Sequence, residues 1–247
     1  MHPVALGREG VHQKRGGGRP RVRHAVGVSR SERVIFFDVD GCLVDSRQPI
    51  LRSLNHAFAE HGLSELSERD LHRHVGPPLE LTIREILADH GRADDDPAPV
   101  IASYRAVYAT LSVELAATFP GLVEVLDELG ATHPLGVVTS KPLRYAQPIL
   151  DALGFSTRFG IMEGPGLTEV EAKTVTLGRA LAASGPDRVA VMVGDRRHDV
   201  EAAAAHGIAS IGVTWGFGDL DELRSAGAGA VIDHPRELVA ALTSLRG

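Results

Sequence analysis

Short apolar runs, each followed by a helical pattern, constrain this chain more than any other feature. Residues 34–37, 135–138, 159–162, 189–193, 209–213 and 230–232 are such runs, and none shows a clear apolar–polar alternation. Runs of that kind suit strands buried on both faces. Between and after them, residues 122–129, 143–153, 169–183, 200–206 and 235–245 carry helical patterning, with Pro148 expected to kink its helix or to lie near its start. Strands that alternate with helices predict an α/β fold, a doubly wound and mostly parallel sheet with helices on both faces.

One block breaks the alternation. Residues 47–116 read as helical throughout. Ile50, Leu51, Leu54 and Phe58 form one stripe, closed by Gly62; Leu79, Ile83, Ile86 and Leu87 form another, closed by Gly91; Val100, Tyr104, Val107, Tyr108 and Leu111 form a third. Ser67 with Asp70 reads as a helix start, and Asp94-Asp95-Asp96-Pro97 as a loop. The block follows the first strand directly, so the expected organisation is a core of residues 31–46 plus 117–247 with a helical domain of residues 47–116 inserted.

Residues 1–30 differ again. They hold seven Lys/Arg, one acid and a Gly16-Gly17-Gly18 run, with no periodic apolar face, which predicts a disordered basic tail. The remainder keeps 19 basic and 31 acidic residues, so no nucleic acid is expected as partner of the folded body. No stretch of 18 apolar residues occurs, and no membrane partner is expected. The single cysteine, Cys42, allows no internal disulfide and fits a cytoplasmic protein.

Chemistry is expected at strand ends, where sites form in open α/β sheets. Asp38 and Asp40 follow the first run and, two residues apart, point to one face; Gly41 lets the chain turn with its N–H left accessible. Adjacent carboxylates want a cation or a shared proton. A plain acidic turn also reads D-x-D-G. After residue 138 come Thr139-Ser140-Lys141-Pro142, whose hydroxyls suit phosphate oxygens. After residue 193 come Gly194-Asp195-Arg196-Arg197-His198-Asp199, where Asp199 also suits a helix cap.

The stretch Asp38-Val39-Asp40-Gly41-Cys42-Leu43-Val44-Asp45-Ser46 resembles motif I of the haloacid dehalogenase (HAD) superfamily, with Cys42 where Thr or Val is usual. Thr139 falls on motif II, and Gly194, Asp195 and Asp199 on motif IV. Lys173 falls on motif III by order and spacing, with Lys141 as its rival. The resemblance covers residues 33–245 and implies a Rossmann-like core with an inserted small α-helical cap.

It further implies a phosphatase that uses Mg²⁺. Asp38 would be the nucleophile and Asp40 the general acid/base, starting protonated. Asp38, the Asp40 backbone carbonyl, Asp195 and Asp199 would hold the metal. Thr139, Ser140, Lys173 and N–H groups near Gly41 would bind the phosphoryl group. The acid at position 40 separates this chain from the dehalogenases, and the absence of lysine in residues 47–116 from a phosphonatase. Local wording resembles the phosphoglycolate phosphatase-like branch, so the expected partner is a small phosphorylated metabolite, with the chain a monomer or homodimer. His74-Val75-Gly76-Pro77-Pro78-Leu79 is the expected substrate loop, with Gly76 against the ligand. A β-phosphoglucomutase-like phosphotransferase, a nucleotidase, a pyrophosphatase and a non-catalytic phosphate-binding protein remain the alternatives.

Overall fold

The computed structural model describes residues 33–167, 171–185 and 188–245; the basic segment 1–30, and the expectation of a disordered tail there, lie outside them. Six strands form one parallel sheet: β1 (Val34–Phe37), β2 (Leu135–Val138), β3 (Phe159–Glu163), β4 (Ala190–Gly194), β5 (Ala209–Val213) and β6 (Ala230–Ile232), in the order β3-β2-β1-β4-β5-β6. The strand order reverses at β1, whose neighbours are β2 and β4. The crevice beyond the carboxyl ends at such a reversal is where ligands settle.

The apolar strands are buried because both faces are covered. Along β1, Ile35 and Phe37 join one cluster while Val34 and Phe36 join another. The first cluster lies under α5 (Leu122–Gly130), α6 (Leu143–Ala152) and α10 (Leu238–Ser244). The second lies under α7 (Lys173–Ser184) and α8 (Arg197–Ala205). Phe36 and Phe37 are fully buried, each contributing about 2–3 kcal/mol of transfer free energy.

Four helices make up the block between β1 and α5: α1 (Arg47–His61), α2 (Glu68–Leu71), α3 (Leu79–Asp89) and α4 (Ala98–Glu114). They share a separate apolar cluster that includes Leu54, Phe58, Ile83, Leu87, Tyr104 and Tyr108. Gly62 ends α1 in the left-handed region, and the Ser67 side chain caps α2 by accepting from the Asp70 N–H. The chain leaves and rejoins the core at one place: the Asp45 N–H donates to the Ala117 carbonyl at 2.9 Å, and the Thr118 hydroxyl to the Leu43 carbonyl at 2.8 Å.

Some element boundaries differ from the sequence pattern. Helix α7 begins at Lys173 and not at 169, and residues 168–170 lie outside the described set. Helix α8 begins at Arg197, three residues early, because Asp199 accepts from the Arg196 N–H and closes its first turn. Pro148 sits inside α6. The sequence reading also missed α9 (Leu220–Ser225), which is short and is capped by Asp219 accepting from the Glu222 N–H at 2.8 Å.

Candidate active site

Asp38 and Asp40 stand at the end of β1, Thr139 and Ser140 at the end of β2, Asp195 at the end of β4, Asp199 in the first turn of α8 and Lys173 at the start of α7. The fold brings them to one edge of the sheet. Lys173 Nζ lies 2.8 Å from Asp38 Oδ2 and 2.5 Å from Asp199 Oδ1, all three groups being buried. Carboxylate oxygens of Asp38, Asp195 and Asp199 lie within 4.8 Å of one another. Asp195 Oδ2 accepts from the Phe217 N–H at 2.7 Å, whereas Asp38 Oδ1 and Asp195 Oδ1 are buried with no partner among the described residues.

Three buried carboxylates against one ammonium leave negative charge uncompensated. Burial pushes the Asp38 carboxyl up to about 6, with Lys173 pulling the other way and Asp199 adding to the rise. Burial also drives Asp195 well above the carboxylate range, helped by Asp38 and Asp199. Desolvation alone would lower the Lys173 ammonium, but Asp199 and Asp38 outweigh it and hold the group above its ordinary value. The orphaned oxygens and the excess charge fit a divalent cation with oxygen preference.

Asp40 is set apart from that cluster. Its Oδ2 lies 2.8 Å from Lys141 Nζ, which also meets the Tyr108 hydroxyl and sits 4.6 Å over the Tyr108 ring. Sequence reasoning treated Lys141 only as a rival to Lys173. Each lysine instead faces a different member of the Asp-x-Asp pair, so of the cation or shared proton expected there, each carboxylate meets a cation.

Gly41 needs a correction. Its N–H donates to the Val44 carbonyl at 2.9 Å and is not free for a phosphoryl oxygen. Space is the reason for the glycine: φ is +77°, and a Cβ there would fall 2.0 Å from Asp195 Oδ2.

Above these groups is a cavity of about 460 Å³ between the sheet edge and the helical block. Asp38, Asp40, Thr139, Ser140 and Lys141 form its floor; Gly76, Pro77, Tyr104 and Tyr108 belong to its roof. Arg196 ties the two together. Its Nη1 donates to the His72 carbonyl at 2.9 Å and to the Val75 carbonyl, while Nε is held by Glu222 at 2.9 Å. His72 Nδ1 meets the Phe217 carbonyl at 2.9 Å. Neither Arg196 nor Tyr108 was singled out for the site. One is a variable position of its motif and the other sits on an ordinary apolar helix face, so only the tertiary fold reveals them.

Comparison with known proteins agrees with this geometry. The family described as haloacid dehalogenase-like hydrolase matches residues 35–213. The tyrosine-protein kinase PtkA of Mycobacterium tuberculosis is 35% identical, over 87% of this chain and 75% of that protein. The phosphoglycolate phosphatase of Yersinia pestis is 29% identical, over 85% and 93%. Among solved structures, a haloacid dehalogenase-like hydrolase from Streptococcus pneumoniae superimposes with a TM-score of 0.76 at 29% identity, covering 85% of this chain and 98% of that one.

Proposed function

The chain belongs to the haloacid dehalogenase-like hydrolase family, and from that premise we propose a Mg²⁺-dependent phosphatase that cleaves a small phosphate monoester through an aspartyl-phosphate. The observation that carries this reading is Asp38 itself. It is a buried carboxylate that lines the cavity, is paired with Lys173 at 2.8 Å and lies beside Asp195 and Asp199.

Asp38 attacks phosphorus, and the bond from phosphorus to the ester oxygen breaks. Asp40 hands its proton to the leaving oxygen. It then takes one from the water that hydrolyses the aspartyl-phosphate and releases phosphate. The Lys141 ammonium suits that second half, in which Asp40 acts as a carboxylate base. Lys173 and the Thr139 hydroxyl balance and orient the phosphoryl oxygens. A bound Mg²⁺, held by Asp38, Asp195, Asp199 and the Asp40 carbonyl, would neutralise charge on those oxygens. No described helix is long and apolar enough to cross a membrane. The buried Cys42 thiol suits the reducing cytoplasm we assign.

The test is phosphate release, with Mg²⁺, from a panel of small esters that includes phosphoglycolate, a sugar phosphate, a nucleotide and pyrophosphate. Each reaction is also screened for transfer to an alcohol in place of water. Release from at least one ester, abolished in Asp38→Asn, is expected. Binding of these esters without release or transfer would leave the protein a phosphate-ligand-binding member of the fold.

A further inference from the structure

The chain contains three tyrosines, and all three line the one cavity described above. Tyr104 and Tyr108 stack with ring centroids 4.9 Å apart and planes 16° from parallel, and Tyr145 meets Tyr108 edge-on at 5.6 Å. Two come from α4 and one from α6, so the grouping is made by the fold and not by one helix face. The aliphatic side chains Ile50, Leu54 and Ile101 complete an apolar enclosure around them.

Lys141 fixes which side of the reaction this enclosure serves. It bridges Asp40 and Tyr108, so the tyrosine wall adjoins the group that protonates the departing oxygen. Whatever leaves phosphorus therefore leaves toward the tyrosines. A cavity of about 460 Å³ is of the size that encloses a molecule with a ring, and a two-carbon alcohol would leave most of it to water. Burial drives the Tyr104 and Tyr108 phenols well above their ordinary range, so they stay neutral; Tyr108 is covered by Tyr104 and Lys141, which leaves Tyr104 and Tyr145 to meet a ligand without adding anionic charge.

We propose that the ester's leaving group carries a flat, unsaturated ring that packs against Tyr104 and Tyr145, with Tyr108 holding the two in place from behind. This deepens the phosphatase reading and rests on it. Ring packing of this kind discriminates a flat ring from a saturated one of equal size by about three- to ten-fold.

Calorimetry with benzylphosphonate and cyclohexylmethylphosphonate, in Mg²⁺, tests the inference without turnover. The pair has the same charge and the same heavy-atom count and differs in planarity. Tighter binding of the benzyl compound by about three- to ten-fold is expected, falling toward equality in Tyr104→Leu and, as a milder change, in Tyr145→Leu. Equal affinity in the wild type, or selectivity unchanged in both variants, overturns the inference. Hydrolysis then separates the two sources of such a ring. A 5′-mononucleotide is compared with ribose 5-phosphate, and benzyl phosphate with cyclohexylmethyl phosphate. Among esters that are hydrolysed, preference for the flat member of either pair supports the inference, and equal rates within both pairs overturn it. Ring-selective phosphonate binding with no ester hydrolysed would overturn the phosphatase reading alone.

Discussion

The floor and the roof of the cavity are built on different principles. The floor is a set of strand ends: Asp38, Thr139 and Asp195 each follow directly on, or one residue after, a buried run, and hydrogen-bond register fixes them relative to one another. The roof is a set of helices with an apolar cluster of its own, which meets the site through packing and a few long-range contacts such as Lys141 with Tyr108. A parallel sheet holds its ends rigidly, which suits groups that must act on one phosphorus atom. The helical block is joined to the core by chain through the 45–46 and 115–118 segments and lies outside the sheet's hydrogen bonding. The division we propose from this difference is chemistry on the floor and selection in the roof.

The largest effect is expected on the floor. Asp38→Asn should lower turnover by roughly a thousand-fold or more while the melting temperature stays near that of the wild type, because an amide neither attacks phosphorus nor pairs with Lys173 as an anion. Near-normal phosphate release from this variant would break the division at its root.

Metal withdrawal should follow closely. Chelation should cut activity by roughly a hundred-fold, Mg²⁺ should restore it, and Ca²⁺, with looser and larger coordination, should restore it poorly. Stability carries a second signature. The Asp38 carboxyl is raised from 3.8 to about 6. A raised acid contributes stability that is full below its unfolded value and is lost as pH rises through the folded one. The chelated protein should therefore lose stability between about pH 4 and pH 7, from this group. Mg²⁺, which needs the carboxylates, should raise the melting temperature by a few degrees above that window and by little below it. A Mg²⁺ effect independent of pH, measured by thermal denaturation, would contradict the carboxylate site.

How much of this was legible in the sequence follows the same division. The floor was legible because Asp38, Asp40, Thr139, Asp195 and Asp199 lie within a few residues of apolar strands, so local sequence carries their placement. Lys173 was legible by order and spacing alone. The roof was not. Lys141 and Tyr108 are 33 residues apart and Arg196 meets Val75 across 121, so no local pattern announces either contact. Gly41 was noticed for its N–H, yet the determining fact is Asp195 lying against it from β4. The short helix α9 escaped because six residues carry too little periodicity, although Asp219 with Glu222 is a readable cap.

Lys141 stands where floor and roof join, and its replacement should have an intermediate effect. Lys141→Met keeps much of the volume and removes the ammonium from Asp40 and Tyr108. The turnover number should fall by roughly ten- to a hundred-fold, with KM changed less, and Lys173→Met should fall further because its ammonium faces Asp38, the proposed nucleophile. A change confined to KM would move Lys141 from the chemistry into substrate binding and shift the boundary between the two regions.

The smallest effect sharpens the comparison most, because it falls on the roof alone. Gly76 lies in the loop between α2 and α3, at φ +115°, and a Cβ there would stand 3.4 Å from Arg196 Cγ and Nη1. The positive φ strains the backbone for any other residue, while a Cβ itself would rest in ordinary contact with the side chain that ties the loop to the core through the His72 and Val75 carbonyls. Gly76→Ala should therefore cost about 1–2 kcal/mol of stability, more than a plain surface loop would. If the loop meets the leaving group, as we propose, and not the reacting phosphoryl group, kcat/KM should change unequally among esters, by about two- to five-fold across the panel. Esters too small to reach the tyrosine wall should lose most, since they depend on close approach of the loop. Gly76→Ala kinetics on phosphoglycolate and on benzyl phosphate, read beside the melting curve, decide the matter. An unequal loss keeps selection in the roof, and a uniform loss that tracks stability reduces the loop to a structural connection.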